Sequence, residues 1–103
     1  MIITNFYNNI LLSIVLLIVC HLLGDYVLQT DYIAKTKGDN LYHLIVHCVL
    51  YCLPFLIIFG LTWQLIPLLG FHYIVDILKA RFKIIPYWLD QVIHYLTLVI
   101  YFI

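Results

Sequence analysis

Four long apolar segments dominate the sequence, at residues 2–23, 41–62, 65–80 and 87–103. A helix that crosses the hydrocarbon core of a bilayer needs about 20 mostly apolar residues. The first two segments reach that length, whereas the last two would need tilt or a partly re-entrant course. Hydrophobic residues make up 66% of the chain and charged residues 10%, against roughly 45–50% apolar residues in a soluble domain. The segments therefore predict an all-α integral membrane protein, folded as a four-helix bundle in one domain, residues 1–103.

The basic residues predict how this bundle is oriented. They fall in the connections between helices 1 and 2 and between helices 3 and 4, which lie on one side of an antiparallel bundle: Lys35, Lys37, Lys79, Arg81 and Lys83. By the positive-inside rule that side is the cytoplasm, so both termini are expected on the other side. No Lys or Arg precedes the first apolar segment and no small-residue cleavage site follows it, so we expect it to be retained.

Each predicted helix also carries, within it or just past its end, one pair of His or Asp residues spaced i and i+4. The pairs are His21 and Asp25, His43 and His47, His72 and Asp76, and Asp90 and His94. Residues four apart in a helix lie on the same face, one turn apart. On the predicted topology all four pairs lie near the cytoplasmic ends of their helices. The sequence therefore predicts one polar layer, to which every helix contributes.

The pairs belong to a weak internal repeat. HLLGD matches HYIVD, and HLIVH matches DQVIH, with a basic connection between the two halves of each unit. Two hairpins that run the same way across a membrane pack around a pseudo-two-fold axis along the bilayer normal. We therefore expect two pseudo-repeated helical hairpins that bring eight polar side chains together.

The chemistry of these residues favours a metal site. Neutral imidazole and carboxylate are the usual ligands of zinc and of other first-row metals, and zinc is the ion that we expect. Eight candidate ligands exceed one tetrahedral shell, so the sequence leaves open whether one or two divalent ions bind. The alternative is that the histidines only form hydrogen bonds between helices.

Two further residues are candidates for chemistry. The chain contains no glutamate, which excludes an HExxH protease site and means that any carboxylate base is an aspartate. Asp90, at a helix start beside Gln91, is the predicted catalytic base. Lys79, three residues after Asp76, is predicted to stabilise an anionic group, with an ordinary topology lysine as the alternative.

Two classes of function follow. The first is a metal-dependent hydrolase acting on a lipid-like or membrane-proximal substrate. The second is a non-enzymatic metal or ion-handling protein, whether carrier, channel subunit or sensor. A permeation path needs polar residues at several depths, whereas the halves of the helices away from the polar pairs are almost wholly apolar. That pattern favours a closed site on one side of the membrane. A haem held by two histidines would leave the aspartates unexplained.

The ordered set HLLGDYVLQTDYIAKTK, HLIVH, HYIVDILK and DQVIH resembles the bacterial membrane-protein family catalogued as domain of unknown function 3307, over residues 10 to 95. The resemblance implies a small helical domain in the bacterial inner membrane and brings no established activity. A looser similarity, in architecture alone, is to membrane-bound metal-dependent hydrolases. We expect membrane lipids as partners and no nucleic acid, and so short a chain leaves a homodimer open.

Overall fold

The computed structural model describes residues 9–103 and is all-helical over that range, which confirms the predicted class. The five α-helices are α1 (Ile10–Leu22), α2 (Asp31–Thr36), α3 (Leu41–Phe59), α4 (Leu65–Asp76) and α5 (Tyr87–Thr97). Three of them are extended by a different helical turn. A π turn continues α1 over Leu23–Val27 and α4 over Ile77–Arg81, and a 3-10 turn continues α5 over Leu98–Phe102.

The count of five helices differs from the predicted four because α2 forms inside the first basic connection. Thr30 caps it, since its Oγ1 accepts a hydrogen bond from the Ile33 amide at 3.2 Å. The predicted start of the first segment, residues 2–8, lies outside the described residues. Its end is later than predicted because the π turn carries the helix on to Val27.

The bounds of α3 follow from its caps. Asn40 Oδ1 accepts hydrogen bonds from the amides of Tyr42 and His43 at 2.9 and 3.3 Å, as a helix N-cap does. Gly60 ends the helix with φ of 87°, a backbone conformation that glycine adopts without steric cost. The helix therefore stops at Phe59, before the predicted residue 62.

The four longer helices share an apolar interior. Its buried side chains come from α1, α3, α4 and the 3-10 turn after α5: Leu17, Cys20, Tyr51, Phe55, Phe59, Leu68, Leu98 and Tyr101. Because residues from each of these elements pack into one cluster, the helices hold one another in place around it. The assignment of the whole chain to a single domain stays a prediction.

Within residues 9–103, two helical stretches are long and apolar enough to cross a bilayer, Ile10–Val27 and Leu41–Phe59. The other two long helices are shorter, since α4 has 12 residues before its five-residue π turn and α5 has 11 before its 3-10 turn. Length and composition thus support the first two predicted spans, and the spans at α4 and α5 stay predictions.

Two glycines allow helices to come close where the polar residues lie. A Cβ on Gly24 would stand 2.6 Å from the Tyr51 carbonyl oxygen, and a Cβ on Gly38 would stand 2.3 Å from that of Ala80. Only glycine permits such an approach. The first contact brings α1 against α3, and the second brings the α2–α3 connection against the π turn after α4.

Candidate metal centre

Four side chains from three helices meet at one point in the interior. Asp25, His47, His72 and Asp76 each offer one ligand atom, and these atoms lie within 4.8 Å of one another. Each of the four residues is buried. The close approach at Gly24 places Asp25 beside α3, and the i and i+4 spacing places His72 and Asp76 on one face of α4.

Five of the distances between ligand atoms in this group lie around the value for a tetrahedral shell. His47 Nε2 lies 3.3 Å from Asp25 Oδ1, 2.9 Å from Asp76 Oδ2 and 3.0 Å from His72 Nε2. His72 Nε2 lies 3.8 and 3.5 Å from the same two carboxylate oxygens. Ligands bound to zinc at about 2.05 Å in a tetrahedron stand ~3.3 Å apart. The donor set and its dimensions therefore fit a divalent ion.

Hydrogen bonds alone account poorly for this arrangement. The Nε2 atoms of His47 and His72 lie close to each other and to two carboxylate oxygens. Each Nε2 carries at most one proton, so it can donate only one hydrogen bond, and the other close contacts are left without one. The Nδ1 atoms of His47 and His72 are buried and have no hydrogen-bond partner among the described residues. A cation at the centre would instead receive a lone pair from all four ligand atoms at once.

A second group adjoins the first. Asp25, Asp90 and His94 also bring their ligand atoms within 4.8 Å of one another, and all three are buried. His94 Nε2 lies 3.0 Å from Asp90 Oδ1 and 3.3 Å from Asp76 Oδ1. Six of the eight predicted ligands thus fall in the two groups, and Asp25 belongs to both.

His21 lies outside both groups because both of its ring nitrogens are engaged. Gln91 Nε2 donates to Asp25 Oδ2 at 3.0 Å and to Asp90 Oδ2 at 3.1 Å, which turns its Oε1 towards His21. His21 Nε2 donates to that oxygen at 3.0 Å, so its Nδ1 accepts from the Tyr51 hydroxyl at 2.8 Å. His21 therefore orients Gln91, which holds two of the carboxylates.

His43, the remaining predicted ligand, belongs to neither group. Its Nδ1 is 2.6 Å from Thr36 Oγ1, at the end of α2, and its ring lies beside the rings of Tyr32 and Tyr42. The one-turn spacing from His47 puts both residues on the same side of α3, but α2 packs over His43. The local partner decides where this imidazole points.

The charges around the centre are unequal. Asp25, Asp76 and Asp90 are three buried carboxylates, and two ammonium groups approach them. Lys37 Nζ lies 3.3 Å from Asp76 Oδ2, and Lys79 Nζ lies 3.7 Å from Asp90 Oδ2. A buried charge without compensation is costly, so the excess carboxylate favours a further cation, either a metal ion or a protonated histidine.

Lys79 differs from Lys37 in its access to solvent. The side chain of Lys79 is 26% exposed, whereas that of Lys37 is 7% exposed. Lys79 also lies over the ring of Tyr87, 4.9 Å from its centroid, and the Tyr87 hydroxyl forms a hydrogen bond with that of Tyr26. Of the two lysines beside the carboxylates, the one next to Asp90 is therefore the more accessible.

Two residues of the centre were missed by reasoning from the sequence. Lys37 was used in the sequence analysis only to predict orientation, yet it is buried against Asp76, next to the close contact at Gly38. Nothing local in the sequence marks that contact. Tyr51, whose ring stacks on His72 with centroids 3.7 Å apart, continues the face of His47 by one helical turn. Extending the i and i+4 pattern by one step would have found it.

Comparison with known proteins identifies the family. No curated protein and no solved structure matches the chain. The family model described as protein of unknown function, DUF3307, matches residues 13–103, which confirms the resemblance seen in the sequence, and the chain therefore belongs to that family.

Proposed function

We propose that this chain is an integral membrane protein that binds a divalent metal ion, zinc first of all, at Asp25, His47, His72 and Asp76. We propose further that it uses the ion to hydrolyse a lipid-like or membrane-proximal ester or phosphoester. The observation that carries the proposal is the convergence of four buried ligand atoms at tetrahedral spacing.

The membrane location rests on an inverted distribution of side chains. Polar residues such as His47 and Asp76 are buried, whereas Leu11 on α1 is 73% exposed and Ile57 on α3 is 56% exposed. Soluble proteins rarely expose apolar patches that run along whole helices. Trp63 and Trp88 are exposed near the starts of α4 and α5, where interfacial tryptophans are common.

The orientation follows from the positive-inside rule. Lys35 and Lys37 lie at the end of α2, and Lys79, Arg81 and Lys83 lie at the end of α4 and just beyond it. With these two connections in the cytoplasm, the centre lies at the cytoplasmic ends of the helices and both termini lie on the other side. The substrate would then approach from the cytoplasmic leaflet.

Hydrolysis is favoured because the centre holds more polar groups than binding requires. A divalent ion lowers the pKa of a bound water and polarises the bond to be broken. Asp90 lies outside the four-ligand group, and in a centre with one ion we assign to it the role of accepting the proton of the attacking water. Hydrolysis would add water across the ester, its hydroxyl to the acyl or phosphoryl group and its proton to the leaving alcohol. Lys79, on the same side, would face the negative charge of the substrate.

Ion transport is the weaker alternative. Beyond the polar layer the interior is filled by aromatic and aliphatic side chains, among them Phe55, Phe59 and Leu68. Tyr51 and Phe55 lie directly beyond the ligands, with ring centroids 5.4 Å apart. A permeation path would have to open between these packed side chains, whereas a site used from one side needs no such path.

The test measures metal and turnover on the same preparations. The detergent-purified wild type, His72→Ala and Asp90→Asn are analysed for bound metal, before and after chelation, and are screened against phosphoester and acyl-ester lipids. Asp39→Asn, an exposed aspartate on the α2–α3 connection, is the matched control. We expect His72→Ala to lose the ion of the four-ligand group. We expect Asp90→Asn to retain that ion but to lose turnover.

Different results would contradict the metal site and the hydrolase activity. Wild type that binds no divalent ion after reconstitution would remove the metal site and the hydrolase with it. Metal-loaded wild type that turns over none of the substrates would remove the hydrolase and leave the ion-handling alternative. C-terminal reporter fusions that localise to the cytoplasm would reverse the orientation.

A further inference from the structure

Asp76 presents its two carboxylate oxygens to two different histidine groups. Its Oδ2 atom lies 2.9 Å from His47 Nε2 and 3.5 Å from His72 Nε2, within the four-ligand group. Its Oδ1 atom lies 3.3 Å from His94 Nε2, which belongs to the second group. A carboxylate that uses one oxygen on each side has the geometry of a bridge between two ions.

The two carboxylate oxygens of Asp25 also face different groups. Its Oδ1 atom lies 3.3 Å from His47 Nε2. Its Oδ2 atom accepts a hydrogen bond from Gln91 Nε2 at 3.0 Å, and the same nitrogen donates to Asp90 Oδ2 at 3.1 Å. One oxygen therefore belongs to the four-ligand group and the other lies on the side of Asp90.

The second side has two ligand atoms of its own. Asp90 and His94 are almost completely buried, with 1% and 0% of their surface exposed. Asp90 Oδ1 accepts no hydrogen bond among the described residues, although it stands 3.0 Å from His94 Nε2. A carboxylate oxygen and an imidazole nitrogen that stand this close without a hydrogen bond between them fit two ligands that share one ion.

We propose that the centre is dinuclear, with Asp25 and Asp76 bridging two divalent ions. His47 and His72 complete the site of the first ion, and Asp90 and His94 complete that of the second. This inference rests on the proposed function, whose metal it takes as the first ion. Pairs of ions held by bridging carboxylates and terminal histidines on facing helices are a known solution for helical bundles.

The two ions have different surroundings. The four-ligand group is closed, as structural zinc sites are, whereas a catalytic ion keeps a position open for water. The second ion lies on the side of Lys79, whose side chain is partly exposed and whose Nζ is 3.7 Å from Asp90 Oδ2. We therefore assign to the second ion the contact with water and substrate. In this dinuclear centre Asp90 would be a ligand of that ion, in place of the base that a one-ion centre would require.

The test is the stoichiometry of metal binding. The full chain in detergent is stripped with a chelator, reloaded with Mn²⁺ and analysed for bound metal and by electron paramagnetic resonance. Two Mn²⁺ ions bridged by carboxylates couple magnetically, whereas a single ion gives an isolated spectrum. We expect two coupled ions in the wild type and in the Asp39→Asn control, and one isolated ion in Asp90→Asn and in His94→Gln.

Each outcome decides between the one-ion and two-ion centres. One ion in the wild type would overturn the dinuclear centre and leave the proposed metal site standing. Two coupled ions that persist in Asp90→Asn would show that Asp90 is no ligand and would overturn this assignment. No bound ion in the wild type would remove the proposed function as well. Because the wild-type count is decisive, a variant that fails to fold does not spoil the test.

Discussion

The two hairpins carry the same spacing of polar residues and use it differently. The second residue of every pair belongs to a ligand group. These residues are Asp25 and His47 in the first hairpin (α1 and α3), and their counterparts Asp76 and His94 in the second (α4 and α5). The first residues of the pairs differ between the hairpins. His21 and His43 lie outside both ligand groups, whereas their counterparts belong to them, His72 with the first and Asp90 with the second.

Neighbouring residues explain the divergence. Gln91 on α5 engages His21, and the position that corresponds to Gln91 on α3 is Leu44, which offers no hydrogen bond. Thr36 engages His43 from α2, an element that the second connection lacks, since residues 82–86 between its π turn and α5 form no helix. The spacing puts a side chain on a face, and its neighbours then assign its role.

The largest difference between the hairpins is expected at the two central aspartates. Both Asp76→Asn and Asp25→Asn remove a ligand and should lose the metal. Asp76→Asn also leaves the buried ammonium of Lys37 without its carboxylate, 3.3 Å away. Breaking a buried ion pair from one side costs about 3–5 kcal/mol. In metal-free protein, thermal unfolding in detergent should therefore show Asp76→Asn as much the less stable of the two.

A double variant isolates the cause of that difference. Lys37→Met combined with Asp76→Asn removes the unpaired charge and should recover much of the stability lost in the single variant. Equal unfolding temperatures for the two metal-free single variants would contradict the interpretation, since they would show that Lys37 gains nothing from Asp76.

A smaller effect is expected at Gln91, which distinguishes α5 from α3. Gln91→Leu removes the donor shared by Asp25 and Asp90 and the acceptor used by His21. Loss of such an outer partner lowers metal affinity by about 10–100-fold. Competition titration with a metal indicator measures it. Gln29→Leu is the control, because the Gln29 side chain donates its hydrogen bond to the backbone carbonyl of Asp25, at 3.3 Å, and not to a carboxylate. Equal affinities in the two variants would mean that Gln91 does not position the carboxylates.

These contrasts show what the sequence could predict. Apolar segments and i and i+4 pairs depend on local periodicity, so the helical class and the faces that carry Asp25, His47, His72 and Asp76 could be predicted. The short α2, the π turns and the burial of Lys37 depend on contacts between distant segments, such as Gly38 against Ala80. No local pattern records those contacts. His21 and His43 were therefore grouped with the ligands by their spacing alone.

The smallest effect is expected at His43, and it tests whether spacing or surroundings decide. His43 occupies the position in the repeat that Asp90 occupies in the second hairpin, but its Nδ1 pairs with Thr36 Oγ1 at 2.6 Å. His43→Gln should leave metal content and turnover unchanged and should cost at most about 1 kcal/mol of stability, the value of one partly exposed hydrogen bond. Elemental analysis and thermal unfolding of His43→Gln beside Asp90→Asn make the comparison. Loss of metal in His43→Gln would mean that the repeat operates as its spacing suggests, with α2 moving aside to admit His43 to the centre.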